Sequence, residues 1–295
     1  MQWNESVKAF KVYLKFERGL SENSVVNYVF DIQKLIHFLD HNNVVVGPLK
    51  IDSTQIQQFI YQAAKELKPA SQARLLSGIR MFFDFLLMEG VREDNPVALV
   101  EPPKLGGQLP TTLSISEINR LLNSFDDDNP LDIRNSAILE LLYSCGLRVS
   151  ELVELRYSDM FFTENLVKVI GKGNKERFVP IGRMGKECVS RYLAIRHEGK
   201  KGFSDTLFLN NRGTKLTRAM VFIIVRKAAK KAELNKTISP HSLRHSFATH
   251  LVENGADISS VQQMLGHSSI TTTERYLHMS KKHLKNTLEK YHPRA

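Results

Sequence analysis

Apolar residues recur at helical spacing through the first hundred positions of the 295-residue chain. Trp3, Val7, Phe10 and Leu14 share one face. After Gly19 and an N-cap residue at Ser21, Tyr28, Ile32, Leu35 and Leu39 do the same. Asp52 and Ser53 open a third stretch that presents Ile56, Phe59, Ile60 and Ala63, and Lys68-Pro69 ends it. A fourth runs from about Ala70 to Glu89, turns Leu75, Ile79, Phe82, Phe83 and Leu86 inward, and stops at Gly90. Four amphipathic helices in residues 1–100 predict a small all-α domain.

The pattern then breaks. EPPKLGGQLP places three prolines and two glycines in ten positions, so residues 101–111 predict an extended linker. The remaining chain, 112–295, mixes two periods. Ser116 with Glu117 opens a short helix, and LDIRNSAILELLYSCG reads as a buried helix ending at Gly146. Leu166–Ile170 and Glu176–Ile181 are strand-like runs around the turn GKGN. Further helices are predicted near 184–198, 217–232, 240–254, 258–265 and 270–279, and the last fifteen residues begin helical and end in YHPRA. The expectation is a mainly α, two-domain protein. Its front is a four-helix domain, and its second domain is α+β with one small antiparallel sheet.

Composition narrows the partner. Hydrophobic residues make up 42% of the chain, enough for a real core. The net charge of +10 is uneven: residues 1–110 carry 12 Lys+Arg and 12 Asp+Glu, so residues 111–295 carry the whole excess. A polyanionic partner would match that half, although a solubility surface accounts for charge alone. Cys145 and Cys188 have no metal-ligand spacing, which argues against a disulfide framework or structural zinc and for a reducing compartment. No stretch of about eighteen apolar residues predicts a membrane span. The N-terminus, charged throughout, does not read as a signal peptide. DDDN at 126–129 reads as a loop before Pro130 rather than a metal cluster, because no second acidic motif converges with it.

The candidate chemistry lies in polar residues set inside apolar patterns. In GLRVSEL, Arg148 follows a buried-type helix and a glycine; it is either a ligand for helix-end carbonyls or a fork for an oxyanion. Glu151, three residues on, is placed to hold that guanidinium. HSLRH opens a helix after Pro240, with His241 and Arg244 on one face near its N-terminus. Arg244 there opposes the helix dipole unless an anion is present. Lys172 sits in the GKGN turn, either as an ordinary exposed lysine or as a proton donor carried on a hairpin tip. His267 follows Leu265-Gly266 at a helix end, and Tyr276 lies nine residues further on. A phenol of ordinary pKa about 10 is a poor nucleophile unless its target is already activated.

Taken in order, Arg148, Lys172, HSLRH at 241, LGH at 265 and Tyr276 resemble the tyrosine recombinase (phage-integrase-type) family at every expected position. The neutral front half resembles that family's core-binding, SAM-like domain. Length, linker, GLRVSEL and YHPRA narrow the resemblance to the Xer recombinases, and YHPRA favours the XerD branch over XerC. One departure is Leu277, where many relatives carry Thr; the reactive oxygen belongs to Tyr276.

The resemblance implies that Tyr276 attacks a DNA phosphodiester to give a 3′-phosphotyrosyl link. Arg148 and Arg244 would bind the non-bridging oxygens, with Glu151 behind Arg148. His241 and His267 would hydrogen-bond the same oxygens or manage the phenolic proton, and Lys172 would protonate the leaving 5′-oxygen. No metal, cofactor or ATP is implied. The family role implies a cytoplasmic protein resolving chromosome dimers at a dif-like site during cell division. Its partners would be double-stranded DNA, an XerC-like paralogue in a heterotetramer (or a homotetramer of itself) and an FtsK-like DNA translocase. The C-terminal tail would pass into a neighbouring protomer. Two alternatives remain. A mobile-element integrase or invertase would use the same chemistry, but often carries an extra N-terminal domain ahead of the core-binding helices. A non-catalytic DNA-binding protein would keep the fold without the full set of site residues.

Overall fold

The computed structural model describes residues 2–103, 112–126, 129–171, 174–266 and 281–295. The chain forms two compact units, Met1–Gln108 and Leu109–Ala295. The first is helical. Helix α1 (Trp3–Val12) runs into a π-helical turn (Tyr13–Glu17) and is followed by α2 (Glu22–His41), α3 (Ser53–Glu66) and α4 (Pro69–Met88). Side chains set the helix starts. Ser21 caps α2, and at α3 the Asp52 carboxylate accepts from Gln55 N–H while the Gln55 side chain accepts from Asp52 N–H. Pro69 at the first position of α4 needs no partner for a missing N–H.

Phe10, Ile32, Leu35, Ile56, Ile79, Phe82, Phe83 and Leu86 fill the core of this unit. An ion pair reaches into this core. The Asp31 carboxylate is fully buried and takes Arg74 in a two-pronged contact at 2.6 and 2.7 Å. Burial raises the Asp31 carboxyl above its ordinary range, and Arg74 offsets part of that rise. Gly78 makes room for the pair, because a Cβ there would stand 2.6 Å from Asp31 Oδ2.

The second unit is built around α6 (Pro130–Ser144), twelve of whose fifteen residues are buried, which makes it the central helix. Before it lies α5 (Ile115–Leu122). The cap of α5 is Ser114 rather than Ser116: its hydroxyl accepts from Glu117 N–H, and Glu117 accepts from Ser114 N–H. After α6 come the six-residue α7 (Val149–Glu154) and strands β1 (Met160–Phe161), β2 (Leu166–Ile170) and β3 (Glu176–Pro180). The strands form one antiparallel sheet in the order β1-β2-β3. Helices α8 (Arg183–Ile195), α9 (Arg218–Lys231), α10 (Pro240–Glu253), α11 (Ile258–Leu265) and α12 (Lys281–Tyr291) complete the unit. The short α7 and β1 offer too few residues for a periodic signal, so the sequence pattern does not reveal them. The helix expected near 270–279 lies outside the described residues. No helix among the described residues is long and apolar enough to cross a membrane.

The chain's own ending is seated on this unit. Leu284, Thr287 and Leu288 of α12 are buried, and the His292 ring packs tilted against Tyr143 and Phe247, with ring centres 4.9 and 5.3 Å away. Arg294 reaches the buried Glu140 at 2.9 Å, and Asn254 Nδ2 donates to Tyr291 O at 2.7 Å. Gly182 faces the last residue so closely that a Cβ would stand 2.9 Å from Ala295 Cα.

Burial, then the neighbouring His250 and Arg294 charges, push His292 down to about 3. Its folded pKa is therefore below its unfolded value, and its contribution to stability is complete above the unfolded pKa and lost as pH falls toward the folded one. Thermal unfolding should show a midpoint that drops as pH falls from about 6.5 toward about 3, and His292→Phe should flatten the drop. An unchanged slope in that variant would count against the assignment.

Candidate active site

Helix α6 ends at Ser144, and Gly146 reverses the chain with φ +57°, where a Cβ would stand 2.5 Å from Phe247 Cδ1. Only glycine meets both conditions without strain. The turn delivers Arg148 to the N-cap position of α7 and Glu151 to its first turn.

Glu151 is the hub. Its side chain is 2% exposed. Oε1 accepts from Arg148 Nη1 at 2.7 Å and from Arg177 Nη1 at 2.8 Å. Oε2 accepts from Arg148 N–H at 2.8 Å and from Arg177 Nη2 at 2.9 Å, and Arg244 Nη1 stands 3.9 Å away. Burial alone would raise this carboxyl; the hydrogen bonds and charge of Arg177, then those of Arg148, outweigh it and hold it below the usual range. Its contribution is therefore present at neutral pH and is lost as pH falls through the lowered folded value.

Three guanidinium groups and one carboxylate leave an excess of positive charge. The imbalance registers at Arg244, which burial first and the Arg148 charge second push down to about 10. Arg244 lies in the second turn of α10, where a cation opposes the helix dipole. Its guanidinium turns to helix C-terminal ends instead: Nη1 donates to Gly146 O at 2.6 Å and Nη2 to Leu265 O at 2.7 Å. The unfavourable placement expected for an arginine in HSLRH is thereby offset within the protein.

The end of α11 gathers all three arginines. Arg177 Nε donates to Met264 O at 2.8 Å, Arg244 Nη2 to Leu265 O, and Arg148 Nη2 to Gly266 O at 3.2 Å. Three successive carbonyls at the negative end of a helix each take one guanidinium. Arg148 thus serves as a ligand for helix-end carbonyls, and its side chain, 36% exposed, still opens to solvent.

Of the residues singled out in the sequence, Arg148, Glu151 and Arg244 meet at one point. His241 is exposed in the first turn of α10, one turn before Arg244. Lys172, His267 and Tyr276 lie outside the described residues. The residues just before two of them are described. A Cβ on Gly171 would stand 3.5 Å from Arg177 Nη1, and one on Gly266 would stand 3.0 Å from Arg177 Cδ. Arg177 is the residue that sequence reading missed. Strand alternation carries its signal: Arg177 faces Val169 across the sheet and shares the inner face of β3 with the buried Val179. An arginine in that register needs a buried acceptor.

A model of the phage integrase family matches residues 111–283, and one of the phage integrase N-terminal SAM-like domain matches residues 7–90. The tyrosine recombinase XerD of Listeria innocua serovar 6a is 38% identical over 296 residues, covering 99% of this chain and 100% of the relative. The protein of the same name from Yersinia pestis is 40% identical over 301 residues, covering 100% and 99%. Among solved structures, XerA recombinase aligns over 100% of both chains at 29% identity with a TM-score of 0.51. A λ integrase dimer bound to a COC′ core site aligns over 92% of this chain and 97% of that one, with a TM-score of 0.71. At 21% identity it shares the fold.

Removing the hub charge tests the geometry. Glu151→Gln should lower unfolding stability by on the order of 3 kcal/mol, because it leaves clustered guanidinium groups without their buried counter-charge. Urea unfolding measures this, and a loss under about 1 kcal/mol would contradict the arrangement.

Proposed function

Because the chain belongs to the phage integrase family, we propose that it is a tyrosine recombinase that cuts and rejoins DNA through a covalent 3′-phosphotyrosyl intermediate. The observation that carries the reading is the convergence of Arg148 and Arg244, far apart in sequence, on one buried carboxylate. A site holding several guanidinium groups in surplus over its acidic partner is complementary to a phosphodiester.

The reaction follows from the residue types. The Tyr276 oxygen attacks phosphorus, and the bond to the 5′-oxygen breaks. Negative charge gathers on the two non-bridging oxygens, where Arg148 and Arg244 stabilise it more strongly than in the starting diester. Because both guanidinium groups are held by Glu151 and the carbonyls at the end of α11, little reorganisation is needed when charge develops. His241 and His267 hydrogen-bond the same oxygens or accept the phenolic proton, and Lys172 protonates the departing 5′-oxygen. Phenolate is itself a fair leaving group, so the phosphotyrosyl bond retains the energy of the broken linkage. A 5′-hydroxyl from another strand then attacks, and rejoining needs no ATP. Protein side chains account for each charge and proton in the sequence.

The finer role we propose is resolution of chromosome dimers at a dif-like site in the cytoplasm during cell division. The relatives named XerD, alike over the full chain, support this over a mobile-element integrase or invertase. They also favour it over a DNA-binding protein without activity. In this role the protein binds double-stranded DNA and assembles with an XerC-like paralogue as a heterotetramer, or with itself. An FtsK-like translocase controls the exchange. Residues 1–100 act as the core-binding domain, 101–111 as linker and 112–295 as the catalytic domain, whose tail passes to a neighbouring protomer.

Tyr276→Phe should bind DNA as the unaltered protein does and form no SDS-resistant adduct on nicked suicide substrates. Cleavage by the unaltered protein should persist in EDTA. An adduct surviving in the variant, or cleavage abolished by the chelator, would refute the mechanism.

A further inference from the structure

We infer that Arg177 is a positioning residue for strand cleavage: it locks the Glu151 carboxylate, the hairpin bearing Lys172 and the turn leading to His267 into one arrangement. The inference rests on the recombinase reading and adds to it a residue that neither touches the phosphate nor belongs to the motif set.

The geometry is specific. Arg177 spends its whole fork inside the protein. Nη1 and Nη2 take the two oxygens of Glu151 at 2.8 and 2.9 Å, and Nε takes Met264 O at 2.8 Å. Its side chain is 13% exposed, which makes it the most enclosed partner of Glu151 after Arg244. Each contact fixes a different part of the site. Through Glu151 it orients Arg148, because the same Oε1 accepts from both guanidinium groups. At the end of α11 it lies flat on Gly266, where φ is +64° and a Cβ would stand 3.0–3.2 Å from Arg177 Cδ, Nε and Cζ. Gly266 immediately precedes His267. On its own hairpin it abuts Gly171, whose N–H donates to Lys175 O at 2.8 Å and which immediately precedes Lys172.

Charge adds a second effect. Without Arg177, Glu151 would answer mainly to Arg148, and the shared carboxylate would be free to draw that guanidinium inward. With Arg177 occupying both oxygens, Arg148 keeps only one side-chain bond to Glu151. Arg177 thereby holds Arg148 partway out, toward the solvent side where a phosphate would approach. A lysine cannot reproduce this, since an ammonium lacks the planar fork that spans two carboxylate oxygens.

Single-turnover cleavage of a nicked suicide substrate at saturating protein is the test, run on Arg177→Lys and Arg177→Met beside separate measurements of DNA affinity. Arg177→Met should cleave about 100-fold more slowly and Arg177→Lys about 10-fold more slowly, with affinity within about 3-fold of the unaltered protein. Arg177→Lys keeps the charge and stem, so it reports on positioning even where Arg177→Met folds poorly. If Arg177 acts through Glu151, adding Glu151→Gln to Arg177→Lys should slow cleavage less than the product of the two single effects. Cleavage by both variants within about 3-fold of the unaltered protein, or fully multiplicative effects in the pair, would overturn the inference. Absence of any covalent adduct with the unaltered protein would instead overturn the recombinase reading.

Discussion

The site depends on one buried carboxylate serving more cations than it can neutralise. Glu151 accepts both prongs of Arg177, one side-chain bond and the backbone N–H of Arg148, and stands 3.9 Å from Arg244. At an effective dielectric near 20, unit charges about 4 Å apart interact by about 4 kcal/mol. Attractions and repulsions on that scale coexist here, the positive charge stays in excess, and carbonyl dipoles offset part of it. Met264, Leu265 and Gly266 supply three at the end of α11, and Gly146 supplies a fourth after α6. The folding of α6, α7, β3, α10 and α11 is thus tied to a single electrostatic arrangement.

The same arrangement bears on function. An arginine satisfied entirely by protein would be structural, and one satisfied by nothing would be costly to bury. Arg244 and Arg148 fall between these limits, in contact with carbonyls and Glu151 while the cluster remains over-charged. In the proposed reaction a dianion-like transition state would find its counter-charges already placed here, which is the condition under which fixed dipoles and charges are most effective. The ending of the chain bears on a different part of the unit. His292 and Arg294 seat on Tyr143 and Glu140 of α6 and on Phe247 of α10, so the tail shares α6 with the turn that delivers Arg148.

Much of this was legible in the chain. Helical periodicity locates α2, α3 and α4 because each is long and has one apolar face, and the cap at Ser21 stands where its side chain predicts. The start of α5 expected at Ser116 lies at Ile115, because the Ser114 hydroxyl rather than that of Ser116 accepts from Glu117 N–H. Arg148, Glu151 and Arg244 were nameable from their local patterns, but those patterns do not carry the contact with Leu265 O or Gly146 O. Such bonds join residues distant in sequence. The local pattern does not single out Arg177, because an arginine next to a lysine-bearing turn reads as ordinary hairpin polarity. The strand register that turns Arg177 inward, opposite Val169, becomes visible only once β2 and β3 are paired.

In the proposed mechanism Arg148 serves the charge on a scissile phosphate rather than the fold alone. Cleavage by Arg148→Ala should be compared on two suicide substrates, one with the native phosphate and one with a methylphosphonate at the scissile position, which carries one negative charge fewer. The variant should lose about 100-fold or more on the phosphate and recover to within about 10-fold of the unaltered protein on the methylphosphonate. An equal loss on both substrates would show that Arg148 acts only through the fold and would contradict the account.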